Sequence, residues 1–307
     1  MLCLRHLQAE PLHRARGHGS RSPTAPGTHP ATIPVVASQS TSNFEVRSPR
    51  LRLSPCKLMR RRLACWLLLA TPSRAPDPGG SWLSYAVYNA NQNDIITRMS
   101  CSMVVPGWPR DPSGNAEAAL WFGVQTSDGD GTLVQPIMAK WMGGHFAAFH
   151  EIYDFNSHKD YASSQLVVGP GEVITASITY RASNRSYDME LSVFPSNQSV
   201  VFSYGLSPAQ SHNESTAYLV LEHEPDRCAQ LPGNVLSPGA MQGKSTFRDV
   251  AIEVNGAPVA SPVWESRAGP FCSNPKYKCC GSTARVTSPA EIEIRWNVSD
   301  DHDEEAR

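Results

Sequence analysis

The segment AYLVLEHEP, Ala217 to Pro225, carries a carboxylate at the end of an apolar run. Glu222 follows five residues that favour a strand, and Glu224 and a proline close the run. Acidic side chains are mostly exposed, so Glu222 could be a surface residue where a strand ends. A carboxyl on one face of a sheet can instead take a proton from water and return it to a leaving group.

Strand periodicity separates the residues around Glu222 into two faces. Alternation places Glu222 with Tyr218, Val220 and Glu224, and turns Ala217, Leu219, Leu221 and His223 the other way. The same alternation in HFAAFHEIYDF groups Phe149, Glu151 and Tyr153. In ALWFGVQ, Trp121, Gly123 and Gln125 share a side, and in TLVQPIMAKW, Gln135 shares a side with Leu133 and Ile137. We expect these aromatic and polar faces to line a cleft.

The same residues have structural alternatives, and a metal site, a glycosidase and a serine hydrolase fit the pattern less well. Gln135 could be a satisfied core amide, and Glu151 a solvated acid. His145 and His150 are five residues apart in a strand and face opposite sides, so they fail as a metal pair. Glu151 and Asp154 also face opposite sides, which removes the carboxyl pair of a glycosidase. No Gly-x-Ser-x-Gly elbow occurs.

The elements that must position these residues are short strands between Gly, Pro, Asn and Asp turns. The sequence predicts an all-β fold with two packed antiparallel sheets, because each sheet must bury an apolar face. The predicted strands span 95–105, 118–124, 132–141, 145–155, 173–180, 187–194, 199–204, 216–224, 247–254 and 290–297.

Four sequence blocks resemble the eqolisin family, the fungal glutamic peptidases. WFGVQTSDGDGTLVQPI is similar to that family's tryptophan-glycine strand and glutamine strand, and FHEIYDF to its aromatic-glutamate-aromatic strand. VGPGEVITASITY resembles its turn into a β-branched strand, and AYLVLEHE the strand with its catalytic glutamate. The blocks follow the family's order over roughly Trp82 to Val254.

The resemblance implies a two-sheet, lectin-like β-sandwich (a concanavalin-like jelly roll) whose concave face binds an extended peptide. By this resemblance, the family's catalytic glutamine corresponds to Gln135 and its catalytic glutamate to Glu222. The cleft-lining residues carry over to Trp121, Phe149, Glu151 and Tyr153. Glu222 would serve as general base and acid, and the Gln135 amide would stabilise the oxyanion at acid pH. Glu224, on the same face, would disfavour ionisation of Glu222.

The sequence departs from the family in three places. Gln125 stands where the family has an acid, and the cysteine before the glutamine strand is missing. Pro136 directly follows Gln135, so we expect that strand to be at a sheet edge or bulged, because proline cannot donate to the ladder. A noncatalytic sandwich that binds peptide or glycan is therefore the alternative to a secreted acid endopeptidase.

The N-terminal region predicts secretion. Residues 1–58 are a low-complexity basic leader, which is either unusually long or not translated. Residues 59–75 have the arginines, short apolar run and small-residue cleavage site of a signal peptide, so we expect the mature chain to begin at Pro76. An organelle transit peptide is the rival interpretation. Four Asn-x-Ser sequons also favour secretion, and residues 300–307 form an acidic tail.

Five cysteines follow residue 75, and they predict up to two disulfides and one free thiol. They are Cys101, Cys228, Cys272, Cys279 and Cys280. We expect the last three to tie down the loop after Trp264, with a disulfide to Cys101 or Cys228. Zinc is the alternative for CSNPKYKCC, but its spacing matches no standard ligand pair. We expect a polypeptide substrate, a monomer, no cofactor and no metal, and neither nucleic acid nor membrane as a partner.

Overall fold

The computed structural model describes residues 81–299, except 92, 113–116, 127–130, 208–213, 223–226, 238 and 274–278. All of these residues lie within the unit Leu69–Arg307. The predicted leader, signal peptide, cleavage site and acidic tail, together with His223 and Glu224, fall outside the described residues.

The predicted two-sheet antiparallel β-sandwich is confirmed. The first sheet, sheet A, has the order β14-β1-β11-β3-β4-β5-β6, with β7 also paired to β5. Its strands are β1 (Trp82–Asn89), β3 (Ala119–Thr126), β4 (Thr132–Trp141), β5 (Phe146–Asp154), β6 (Lys159–Ala162), β7 (Leu166–Val168), β11 (Glu214–Glu222) and β14 (Glu265–Ala268).

The second sheet, sheet B, has the order β10-β9-β8-β2-β12-β16-β15, with β13 paired to β12. Its strands are β2 (Ile96–Val104), β8 (Val173–Arg181), β9 (Ser186–Phe194), β10 (Gln198–Gly205), β12 (Gln242–Val254), β13 (Ala257–Pro258), β15 (Thr283–Ser288) and β16 (Glu291–Asn297). The described helices are two short 3₁₀ turns, Cys228–Gln230 and Pro270–Ser273. No helix among the described residues has the length and apolar character needed to cross a membrane.

The core lies between the two sheets and is built from alternate residues of each strand. In β11, Ala217, Leu219 and Leu221 enter this core, as the alternation predicted. Sheet B alternates between buried and exposed positions, as β8 illustrates. Strands β3 and β11 of sheet A are instead buried almost throughout, so their second face is covered as well.

That second face of sheet A carries its own cluster, which we call the aromatic face. Its buried members are Trp82, Tyr85, Val87, Ala119, Trp121, Leu133, Ile137, Ala147, Phe149, Tyr218 and Val220. Tyr153 packs against it. The predicted grouping of aromatic residues on one side of β3, β5 and β11 is therefore confirmed.

Strand β4 contains Pro136, and the sequence predicted that this strand would lie at a sheet edge or be bulged. The strand lies between β3 and β5, so the expectation of an edge strand is wrong. The expectation of a bulge is met, because the pairing with β5 shifts register between Ile137 and Lys140. The bulge begins beyond Pro136, which itself pairs in register with His150.

The cysteines form the predicted two disulfides, Cys228–Cys280 and Cys272–Cys279. The expected disulfide between Cys228 and one of the three C-terminal cysteines is confirmed. The other two C-terminal cysteines bond to each other. Cys101 is a free thiol in the core, where burial raises its pKa.

Candidate functional site

Glu222 ends β11 and holds one hydrogen-bond donor on each carboxylate oxygen. The indole Nε1 of Trp121 donates to Oε2 at 2.8 Å. The hydroxyl of Ser81 donates to Oε1. Hydrogen bonds to a carboxylate stabilise its charged form and fix its orientation. The two donors therefore fix the orientation of the Glu222 carboxylate, which is a different setting from a solvated strand end.

Gln135 lies on the same face of sheet A, in the middle of β4. Its neighbours on that face, Leu133 and Ile137, belong to the aromatic face. Gln135 is 7% exposed, and its Oε1 has no hydrogen-bond partner among the described residues. A buried amide oxygen without a partner costs free energy unless a ligand supplies the donor.

The indole of Trp121 lies between Gln135 and Glu222. A Cβ placed on Gly123 would be 3.3 Å from Cζ3 of Trp121 and 3.2 Å from Cβ of Gln135. One edge of the indole is thus near Gln135, while its Nε1 is bonded to Glu222. Strand β3 separates β4 from β11, so the two backbones are about 10 Å apart, twice the usual strand spacing.

Register also relates the predicted site residues along the strands. Gln135 pairs directly with Glu151 of β5, and Tyr218 of β11 pairs with Gly123. Glu222 pairs with Ala119, four residues before Gly123 in β3. The predicted residues therefore share one face, with Glu222 bonded to Trp121 and Gln135 adjacent to Glu151.

Aromatic rings line the face next to Glu222. The ring centroid of Trp82 is 5.1 Å from Tyr85, 4.9 Å from Trp121 and 5.0 Å from Tyr218, all edge to face. A register shift in β1 between Trp82 and Ser84 lets both Trp82 and Tyr85 reach this face. These rings are at most 3% exposed, so they pack against one another and support Trp121, the donor to Glu222.

Glu151 has the most perturbed carboxyl of the face. Burial first, and then the charge of Asp160, raise its pKa to about 7, against which the charge of Lys140 acts. The charge of Glu222 makes a smaller contribution in the same direction. Lys140 is bound to Glu117 with 2.7 Å between Nζ and Oε2.

Three residues of this site were missed from the sequence. Ser81 precedes the first strand, which was not predicted. Asp160 is in β6, a four-residue strand without a recognisable alternation. Lys140 follows the β4 bulge, so simple alternation from Gln135 places it on the wrong side.

Two further polar residues lie close to the predicted site: Gln125, which pairs with Leu133 of the aromatic face as the alternation predicted, and His150, on the opposite side of β5. Gln125 is 1% exposed, and its Oε1 has no partner among the described residues. His150 faces away from Glu151, where its Nε2 lies 3.2 Å from the carbonyl oxygen of Val200, and burial lowers its pKa to about 4. Among the described residues, no group of three or more His, Cys, Asp or Glu is placed to hold a metal ion.

No protein-family model and no curated protein matches the chain. Solved structures similar to it include scytalido-glutamic peptidase with a transition state analog inhibitor, at 17% identity and a TM-score of 0.49, covering 71% of this chain and 98% of that one. SCP-B of the eqolisin family, in complex with the tripeptide Ala-Ile-His, has 16% identity and a TM-score of 0.44, covering 70% and 98%.

Aspergilloglutamic peptidase from Aspergillus niger has 16% identity and a TM-score of 0.40, covering 60% of this chain and 99% of that one. The resemblance to eqolisin peptidases that the sequence blocks predicted is met again in these comparisons. The likeness is distant, and no activity follows from it.

Proposed function

We propose that this protein is a secreted acid endopeptidase that hydrolyses peptide bonds with Glu222 and Gln135. The observation that carries the proposal is the pair of donors on Glu222, from Trp121 and Ser81, on the face that also presents Gln135. A carboxylate whose oxygens are both oriented by donors is suited to accept a proton from one positioned water.

The reaction begins when Glu222 removes a proton from water as the water oxygen attacks the peptide carbonyl carbon. The carbonyl oxygen becomes an oxyanion, which the side-chain N–H groups of Gln135 stabilise. Glu222 then transfers the proton to the amide nitrogen, the C–N bond breaks, and a carboxylic acid and an amine leave. Gln135 cannot lose its donor by titration at acid pH.

Substrate would also satisfy the unpartnered amide oxygen of Gln135. An extended peptide presents backbone N–H groups, and one of them can donate to Oε1. That bond would orient the side chain so that its NH₂ faces the oxyanion. The same peptide would lie beside the aromatic face, whose buried rings of Trp82, Tyr85 and Tyr218 hold Trp121 and Glu222 in position.

Digestion of an unfolded protein at acid pH tests the proposal. Glu222→Gln keeps the shape of the side chain but cannot accept the proton, so we expect activity to vanish while the folded state persists. Glu190→Gln, at an exposed position in β9 of sheet B, is the matched control and should digest like the parent.

A folded parent without activity anywhere in the acid range would contradict the proposal, as would full activity of Glu222→Gln. Either result favours the noncatalytic alternative, in which the aromatic face binds peptide or glycan.

A further inference from the structure

Glu151 and Asp160 form a pair of carboxyl groups beside Gln135. Glu151 is directly opposite Gln135, and Asp160 of β6 is opposite Tyr153, the next residue of β5 on the same face. This register brings the carboxyl groups of Glu151 and Asp160 within reach of a hydrogen bond to each other, and that bond is one of the causes that raise the pKa of Glu151. Ionised carboxylates only accept hydrogen bonds, so this contact requires one proton between the two groups.

The surroundings of the pair favour retention of that proton. The charged and titratable groups that face Glu151 come from three other strands and its own: Lys140 of β4, Asp160 of β6, Glu222 of β11 and Tyr153 of β5, whose hydroxyl contacts His158. Lys140 is the cation among them, and Glu117 already neutralises part of its charge. Burial together with the carboxylates outweighs Lys140, and the pKa of Glu151 rises to about 7.

We propose that the proton shared by Glu151 and Asp160 is a switch, and that the site is active only while the pair holds it. The inference rests on the proposed function. Directly opposed residues in neighbouring strands have Cβ atoms about 4.5–5.5 Å apart, so an ionised Glu151 would lie next to the amide that stabilises the oxyanion. Its negative charge would repel the oxyanion.

Glu151 is thus a positioning residue that acts through the electrostatics around Gln135. Protonated Glu151 leaves the oxyanion undisturbed, and ionised Glu151 opposes it. Loss of the shared proton therefore sets the upper pH limit of activity.

The pH profile of peptide hydrolysis tests the switch with two variants that shift it in opposite directions. Glu151→Gln is neutral at every pH, so its activity should continue above the upper limit of the parent, reaching about tenfold the activity of the parent at pH 8. Asp160→Asn removes the charge that raises the pKa of Glu151, so its upper limit should fall to lower pH. Glu190→Gln is the surface control and should leave the profile unchanged.

The melting temperature of the protein, measured as a function of pH, detects the proton on the Glu151–Asp160 pair without any substrate. The pKa of Glu151 is about 7 in the folded protein against 4.5 as its ordinary value. The stabilisation from its bound proton is therefore complete below about pH 4.5 and is lost as the pH rises through about 7. Glu151→Gln should lack this loss of melting temperature.

The two measurements separate the possible failures. Identical pH dependence of unfolding in parent and Glu151→Gln would overturn the shared proton. Peptidase activity with an unshifted upper limit in Glu151→Gln would overturn the switch while the proposed function stands. A parent without peptidase activity would overturn the proposed function and the switch together, and the unfolding data would still decide the shared proton.

Discussion

At the scale of single residues, the candidate site depends on the indole of Trp121, which is bonded to Glu222 and lies beside Gly123, where β3 faces Gln135. Trp121 donates to Glu222 through Nε1, and its Cζ3 edge is next to the position occupied by Gln135. The contact with Glu222 is a charge-assisted hydrogen bond, which is a stronger class than bonds between neutral groups. Removal of this one donor should therefore affect chemistry more than stability.

Trp121→Phe should lower peptidase activity by about tenfold to a hundredfold, because a hydrogen bond to a charged group contributes about 1.5–3 kcal/mol. The carboxylate of Glu222 also loses a donor that favours its charged form, so the lower pH limit of activity should move to higher pH. Steady-state kinetics across the acid range measure both effects.

Trp296→Phe is the matched control, because the indole of Trp296 is equally buried but donates to the backbone oxygen of Pro232. We expect that variant to lose stability and to keep its pH profile. Equal losses of activity in the two variants would show that Trp121 supports the fold alone.

At the scale of the strands, β3 approaches β4 closely where a glycine faces Gln135. A Cβ on Gly123 would come within 2.6 Å of the carbonyl oxygen of Val134 and 3.2 Å of Cβ of Gln135. The first contact is with backbone, which cannot turn away, so the strands would have to separate.

Gly123→Ala should destabilise the protein by about 1–3 kcal/mol, which is typical of an overpacked site. It should also reduce kcat, because Gln135 moves with its strand. Denaturant unfolding and initial rates at saturating peptide measure the two effects.

The comparison for this variant is Gly205→Ala in β10, where an added Cβ meets no atom within 4 Å. Gly205→Ala should change neither the free energy of unfolding nor kcat appreciably. A Gly123→Ala protein as stable and as active as Gly205→Ala would contradict the close approach.

At the scale of the whole molecule, the Cys228–Cys280 disulfide ties the segment that follows β11 to the segment that precedes β15. It joins residues 52 positions apart, whereas Cys272–Cys279 spans 7. Because the cost of closing a loop grows with its length, the longer bridge should restrict the unfolded chain more.

The double variant Cys228→Ser, Cys280→Ser should lose about 4 kcal/mol of unfolding free energy, and Cys272→Ser, Cys279→Ser about 2.5 kcal/mol, by the chain-entropy relation. Denaturant unfolding of both variants measures the difference.

Peptide mapping without reduction tests whether the two disulfides form, and N-terminal sequencing of secreted material tests whether the mature chain begins at Pro76. Free thiols at all four positions, on a chain that keeps residues 59–75, would contradict the secreted form.

The sequence by itself determined most of the longer strands and, within them, the side to which most residues point. Alternation with a period of two is a local property, so β4 was predicted at 132–141 and β11 within two residues at each end. The separation of Tyr218 and Val220 from Leu219 and Leu221 followed from the same pattern. Two sheets followed in turn, because each strand set has an apolar face to bury.

Only the tertiary structure decided how strands distant in the sequence are aligned, because register depends on contacts that no single segment encodes. The β4 bulge brings Lys140 to the aromatic face, and the pairing of β5 with β6 brings Asp160 to Glu151. The partner of Cys228 was likewise one choice among several until the chain folded. Residue types and faces are local, whereas the shared proton and the donors on Glu222 exist only where separate strands meet.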